Sequence, residues 1–321
     1  MMNRKTFIHM SSVIGAVSLI QLPVFGFPSK GNRLPIIDTH QHLWDVNRFG
    51  DAWSRPPLDR NFDQRDYLAA INGLNVVKAV YMEVGVPANM RHEEALYAIE
   101  MCRERGNPTV AAVIAADPND LDLTTYLSQF YQNPYIKGIR YFFKSEEEIL
   151  RPSVIHNIQR LSTLNMSFDF SVPTQWLPAM SRLIAQCPDT RFLVNHCGNV
   201  DPRAFFNRES LRGETPDHDR DQWITDITQV ADCPNVVCKI SGVATRAMNH
   251  ELTAQNLAPA INCCLDIFGL DRVMFASDWP VCLRKMELGQ WLNTLKEIVL
   301  NRSYADQKKL FHDNAVQFYN I

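Results

Sequence analysis

Two histidines stand one residue apart in the stretch IIDTHQHLWD, residues 36–45, directly after an apolar pair and an acid. On an extended strand end, His40 and His42 project to the same side. Two imidazoles aimed at one point can hold a divalent cation or polarise a carbonyl. Taken alone, this spacing is a weak signal, because histidine pairs are common in loops. Asp278 closes a second apolar run in VMFASDWPV, residues 273–281. A carboxylate at the end of a buried strand loses its water and needs a partner or a task. The task would be general base toward water; the alternative is a helix cap or an ion pair with an arginine. His196, in FLVNHCGN, is placed the same way. Its alternative is a core histidine bonded to backbone.

These residues need elements to carry them. Short runs rich in Val, Ile and Phe alternate with polar loops and helix-period segments. Strands are expected at about 34–38, 76–84, 110–116, 136–141, 167–172, 191–195, 236–241 and 273–277. Helices are expected between them, for example over 92–106 and 256–269, each ending near a glycine. Eight strands, each followed by a helix or a long loop, imply a parallel sheet with helical cover. At 321 residues this predicts an α/β fold, a closed (β/α)8 TIM barrel spanning 34–321. The runner-up is an open doubly wound sheet. A dinucleotide site on such a sheet would show G-x-G-x-x-G after the first strand, where this chain has DTHQH.

A barrel places reactive groups where strands end. Reading off those ends gives Asp38, His40, His42, Glu83, Asp117, Arg140, Asp169, His196, Lys239, Ser241, Asp278 and Trp279. Ionisable groups thus gather at one rim, which points to a catalyst. Arg140 suits a substrate carboxylate or a hydroxyl cluster, because guanidinium offers a planar fork of donors. The alternative for Arg140 is an ion pair with Asp169 or Glu83, and Lys239 is equally ambiguous. Trp44, Trp176 and Trp279 fall in loops where indole faces could stack on a sugar ring. They serve equally well as plugs of the core. The charged segment 201–222 follows His196 and should overhang the rim, with Arg203, Arg208 and Arg212 contributing to recognition of an anionic substrate.

Composition narrows the function class. The net charge is −3 and no basic stripe exists, which argues against nucleic acid and for a small-molecule substrate. Eight scattered cysteines without a C-x-x-C pair read as buried hydrophobes, and not as a disulfide framework or a zinc knuckle. Arg4 and Lys5, then VIGAVSLI, then a Pro- and Gly-containing break read as an export signal over 1–28. NRKTFIHMSS is close to a twin-arginine signal, with Lys5 for the second arginine. The expectation is a periplasmic or exported protein without stable membrane insertion after export.

IIDTHQHLWD, FLVNHCGN, NVVCKISG and RVMFASDWPV together resemble the amidohydrolase-2 family, in its sugar-lactonase branch. FHDNAVQFY, residues 311–319, resembles that family's closing helix. The resemblance implies a barrel that hydrolyses the cyclic ester of a sugar-derived lactone. It implies Asp278, His196, His40 and His42 as catalytic residues. His40, His42 and Asp278, with Glu83 as a fourth, would be the metal ligands. Metal-using relatives also carry a strand-5 histidine, which SFDFSVPTQW lacks. The cofactor expectation is therefore either none required or a single divalent cation, zinc first. Two competing readings stay open: a metal-dependent hydrolase or decarboxylase on the same barrel, and a non-catalytic carbohydrate-binding barrel.

Overall fold

The computed structural model describes residues 33–50, 57–207, 209, 211, 213–247 and 252–321. The expected export segment lies outside the described residues, as do Arg208 and Arg212. Eight strands form one parallel sheet in chain order. They are β1 (Ile36–Gln41), β2 (Val76–Met82), β3 (Thr109–Ala115), β4 (Ile136–Tyr141), β5 (Ser167–Phe170), β6 (Arg191–Val194), β7 (Val236–Ile240) and β8 (Val273–Phe275). A bridge between Gln41 and Trp279 brings the first and last strands together. The Asp278 N–H donates to the His40 carbonyl at 2.9 Å, and the His42 N–H donates to the Trp279 carbonyl at 2.7 Å. The fold is the expected (β/α)8 barrel.

The apolar composition of the strands follows from having both faces covered. One core lies inside the barrel, built from Ile37, Val80, Met82, Ala111, Val113, Leu193 and Met274. Ala315 and Tyr319 of the C-terminal helix Asn314–Tyr319 pack on it. Lys137 Nζ and the Arg191 guanidinium, at the starts of β4 and β6, bond the carbonyls of Asn320 and Phe318. The chain end therefore floors the barrel at the strands' N-terminal side, and the opposite mouth is left for chemistry. A larger core joins the outer strand face to the helices. Helix Gln64–Ala70 starts in a capping box made by Asp63 and Asp66. Helix Ala254–Phe268 stops at Gly269, where φ is 71°.

The departures from expectation are local. β1 runs three residues past Asp38, through Thr39, His40 and Gln41. Polar residues there do not look like a buried strand, yet pairing to β2 and to Trp279 holds them extended. Helix Arg91–Arg103 ends three residues before Gly106. Among the described residues, no helix is long and apolar enough to cross a membrane.

Candidate active site

His40 and His42 leave the end of β1 and meet Asp278 from the end of β8. His40 Nε2 and His42 Nε2 lie 3.1 Å apart. Asp278 Oδ1 is 3.5 Å from each of them. The other ring nitrogens fix the tautomers. His40 Nδ1 lies 3.0 Å from Asn195 Oδ1, and the Asn195 amide is oriented by its Nδ2–H donating to the Phe170 carbonyl. His42 Nδ1 lies 2.9 Å from the Met82 carbonyl. Both partners only accept, so each Nδ1 carries the proton and each Nε2 presents a lone pair. Three acceptors thus converge, and acceptors facing one another repel unless a proton or cation lies among them.

The spacing passes a metric test for a metal. Bonds of about 2.0–2.2 Å from zinc to imidazole nitrogen or carboxylate oxygen put tetrahedral donors about 3.4 Å apart. The observed edges are 3.1, 3.5 and 3.5 Å. The expected fourth ligand, Glu83, is not in this group. Its carboxylate accepts from Arg140 Nε at 2.5 Å and from the Gly85 N–H at 2.6 Å. Three protein donors, with a fourth position taken by a non-protein ligand, would be the pattern of a catalytic zinc site.

His196 completes the cluster. Its ring centroid lies 4.8 Å from that of His40, and its Nδ1 is 2.9 Å from Ser241 Oγ. It sits in an unusual backbone. His196, Cys197, Gly198 and Asn199 all have φ between 51° and 62°, one turn of left-handed helix. Such a conformation costs about 1–2 kcal/mol per non-glycine residue. Asp278 is also left-handed, at φ 57°. Strain of this kind gathers at functional sites, where the surrounding structure holds it. The structure holds the His196 turn closely. Asn199 Nδ2 donates to Ser171 Oγ and to the Val172 carbonyl, at 2.9 and 2.8 Å. Gly242 gives way to the ring: a Cβ there would lie 2.7 Å from His196 Cβ and Cγ.

Burial sets the charge states. Loss of solvent, and then the charge of Lys239, push the His40 imidazole well below its usual range. His196 falls to about 4, chiefly by burial, although the Asp278 charge partly opposes this. Burial alone would raise Asp278, but His196 and His42 outweigh it and hold the carboxyl below the ordinary carboxylate range. At neutral pH the site therefore has neutral His40 and His196 beside an ionised Asp278.

Several expected ligand contacts are engaged elsewhere. Lys239 is wholly buried and pairs with Asp169 at 2.6 Å, which resolves its ambiguity in favour of the ion pair. Arg140 likewise pairs with Glu83 and also donates to the Glu83 carbonyl at 2.7 Å, while its Nη1 stays 3.3 Å from His40 Nε2. Trp44 and Trp279 are 4% and 2% exposed, with Phe62 and Tyr67 packed edge-on against them, so they plug the rim and do not offer open faces. Trp176 is half-buried on the turn Thr174–Trp176 after β5. Arg203 pairs with Asp201 and Glu214 at 2.8 Å each, in contrast to the expected substrate role. Three positioning groups were not singled out from the sequence: Asn195, Gly242, and the pair Tyr67 and Ser277 around Asp38. All act through contacts distant in the chain.

A family model described as Amidohydrolase matches residues 37–321. The chain belongs to the amidohydrolase family. This amidohydrolase is 27% identical over 314 residues to an uncharacterized protein of Sinorhizobium fredii, covering 90% of this chain and 99% of that one. It is 25% identical over 300 residues to an L-fucono-1,5-lactonase of Burkholderia ambifaria, covering 89% and 95%. A crystal structure of an amidohydrolase from Burkholderia multivorans with bound zinc superposes with a TM-score of 0.75 at 20% identity, covering 89% and 99%, which is a likeness of fold. Family and relatives together make this amidohydrolase a hydrolase of that superfamily.

Proposed function

We propose that this amidohydrolase opens the cyclic ester of a sugar-derived lactone, with Asp278 as the base that activates water. The observation that carries the reading is an ionised carboxylate 3.5 Å from two imidazole nitrogens at the mouth of the barrel. Relatives named L-fucono-1,5-lactonase along nearly the whole chain support the lactone.

A lactone carbonyl is already activated, so the protein needs to supply a base, a donor and a positioned water. Asp278 takes a proton from water as the oxygen bonds the carbonyl carbon. Negative charge develops on the former carbonyl oxygen. His196, neutral and backed by Ser241, is placed to donate to that oxygen, a contribution of roughly 3–4 kcal/mol for a well-aimed donor. The ring C–O bond then breaks, and Asp278 returns its proton to the departing oxygen, giving a hydroxy acid. His40, His42 and Asp278 are the residues that would hold a divalent cation, zinc first. Such a cation, when bound, polarises the carbonyl and eases deprotonation of water. Asn195 and Met82 keep the two imidazoles oriented for that task.

The test is a panel of aldonolactones read by acid release with a pH indicator. Hydrolysis of at least one, faster than the buffer rate, is the expected result. No turnover on any, with or without added zinc, would reject the lactonase reading. Export is a separate part of the proposal, supported by the basic start and short apolar run of 1–28. Cell fractionation with the full chain tests it: the protein should appear outside the cytoplasm.

A further inference from the structure

We infer that the substrate carries an anionic substituent, a carboxylate, bound over the ends of β2, β3 and β4. The inference rests on the lactonase reading for the reacting group, and on a separate cavity for the substituent.

That cavity has a volume of about 170 Å³. Its walls are strand-end residues: Glu83 and Gly85 after β2, Ala115 and Ala116 at the end of β3, and Arg140, Tyr141, Phe142 and Lys144 at and just after the end of β4. It therefore opens on the same rim as the reacting centre. The two share a wall, because Arg140 lines the cavity while its Nη1 lies 3.3 Å from His40 Nε2. A ligand with its ester at Asp278 would have to extend past Arg140 to place a substituent in the cavity.

The charges in the walls are unequal. Arg91, Arg140 and Lys144 line the cavity against one acid, Glu83. Glu83 is spent on Arg140. Asp117 stands 3.9 Å from Arg91, a loose pair that leaves guanidinium donors open to another acceptor. Glu148 lies nearby, but its carboxylate accepts from Tyr141 Oη, Asn119 Nδ2 and the Lys144 N–H. Lys144 itself is exposed, and no acid pairs with its ammonium among the described residues. The Phe142 ring covers one face of the Arg140 guanidinium at 4.7 Å, and the guanidinium's in-plane donors already serve Glu83 and His40. The Arg91 guanidinium and the Lys144 ammonium on a small cavity, with the paired Arg140 behind them, match a carboxylate better than a hydroxyl. The floor of Ala115 and Ala116 leaves room for a short chain and excludes a bulky one.

The test has two arms. In the first, kcat/KM is measured for neutral aldonolactones and for lactones of the same ring bearing a terminal carboxylate. The acidic substrates should be favoured at least tenfold. K144M should cost the acidic substrate at least tenfold more in KM than it costs the neutral one, with the gap shrinking at high salt. In the second arm, binding of tartrate and of its uncharged diamide is followed by calorimetry. Tartrate should bind at least tenfold tighter than the diamide, and K144M and R91Q should each remove most of that difference. Lys144 is exposed, so its replacement leaves the fold intact. Neutral lactones turned over as well as acidic ones, or tartrate binding unmoved by both substitutions, would overturn the inference and leave the lactonase reading in place. Tartrate bound through Arg91 and Lys144 by a protein that opens no lactone would uphold the anion site and reject the lactonase reading.

Discussion

Two carboxylates stand at the junction of β1 and β8, and their surroundings differ completely. Asp38 is surrounded by donors. Ser277 N–H and Oγ–H donate to it at 2.8 and 2.5 Å, Tyr67 Oη at 2.9 Å, and the His40 N–H at 3.2 Å. Asp278 faces two imidazole nitrogens that are themselves acceptors. Burial raises Asp38, and its hydrogen bonds only moderate the rise; Asp278 is held low by the groups around it. A carboxylate saturated with donors pins the barrel seam and has no capacity left for a substrate. One that faces imidazoles and is held ionised keeps oxygen lone pairs for a proton or a cation. Both are buried aspartates at the seam of β1 and β8, so the hydrogen-bond partners decide the role.

The contrast can be broken most severely at Asp278. D278N keeps the shape and removes the base, so kcat on a lactone should fall about a thousandfold while thermal stability changes little. Near-normal turnover would remove Asp278 from the base role. Acid should act next most strongly, through His196. Its pKa drops from 6.5 to about 4 on folding, so between those values the unfolded chain binds a proton that the native chain refuses. Stability is then complete above about pH 6.5 and declines as pH falls toward 4, by roughly 3 kcal/mol from this group. Urea unfolding at pH 7 and pH 4.5 measures it, and H196N, whose asparagine tolerates the left-handed backbone, should flatten the slope.

D38N reverses the expectation for its neighbour. An amide cannot accept from every donor that Asp38 serves, so the protein should lose about 2 kcal/mol of stability. The folded fraction should keep far more activity than D278N. Equal loss of kcat in the two variants would erase the distinction between them. S241A should have the smallest effect. It removes the hydroxyl 2.9 Å from His196 Nδ1, and kcat should drop about tenfold. Nitrogen-15 NMR of the histidine rings should show a changed tautomer ratio for His196 in that variant.

Much of the fold was legible because a parallel barrel leaves a strong local trace. Each strand is a short apolar run, and each of the eight runs lies within a few residues of its observed strand. The catalytic candidates were legible for the same reason, since a barrel exposes residues where such runs end. Their supports were not. Tyr67 reaches Asp38 from a helix 29 residues away, and Asn195 reaches His40 across 155 residues. Nothing in the local pattern marks either one. Lys239 and Trp279 show the opposite failure. Both stand at strand ends as ligand-binding residues would, yet the one is consumed by Asp169 and the other by aromatic packing. Rim position selects candidates, and only the three-dimensional partners tell an occupied side chain from an available one.

The convergence of His40, His42 and Asp278 is tested most directly by metal analysis of the purified full chain, before and after exhaustive chelation. The expected result is one divalent ion per chain in the wild type, none in H42A, and turnover that disappears on chelation and returns with zinc. A chain that binds no ion yet hydrolyses lactone at full rate after chelation would contradict it.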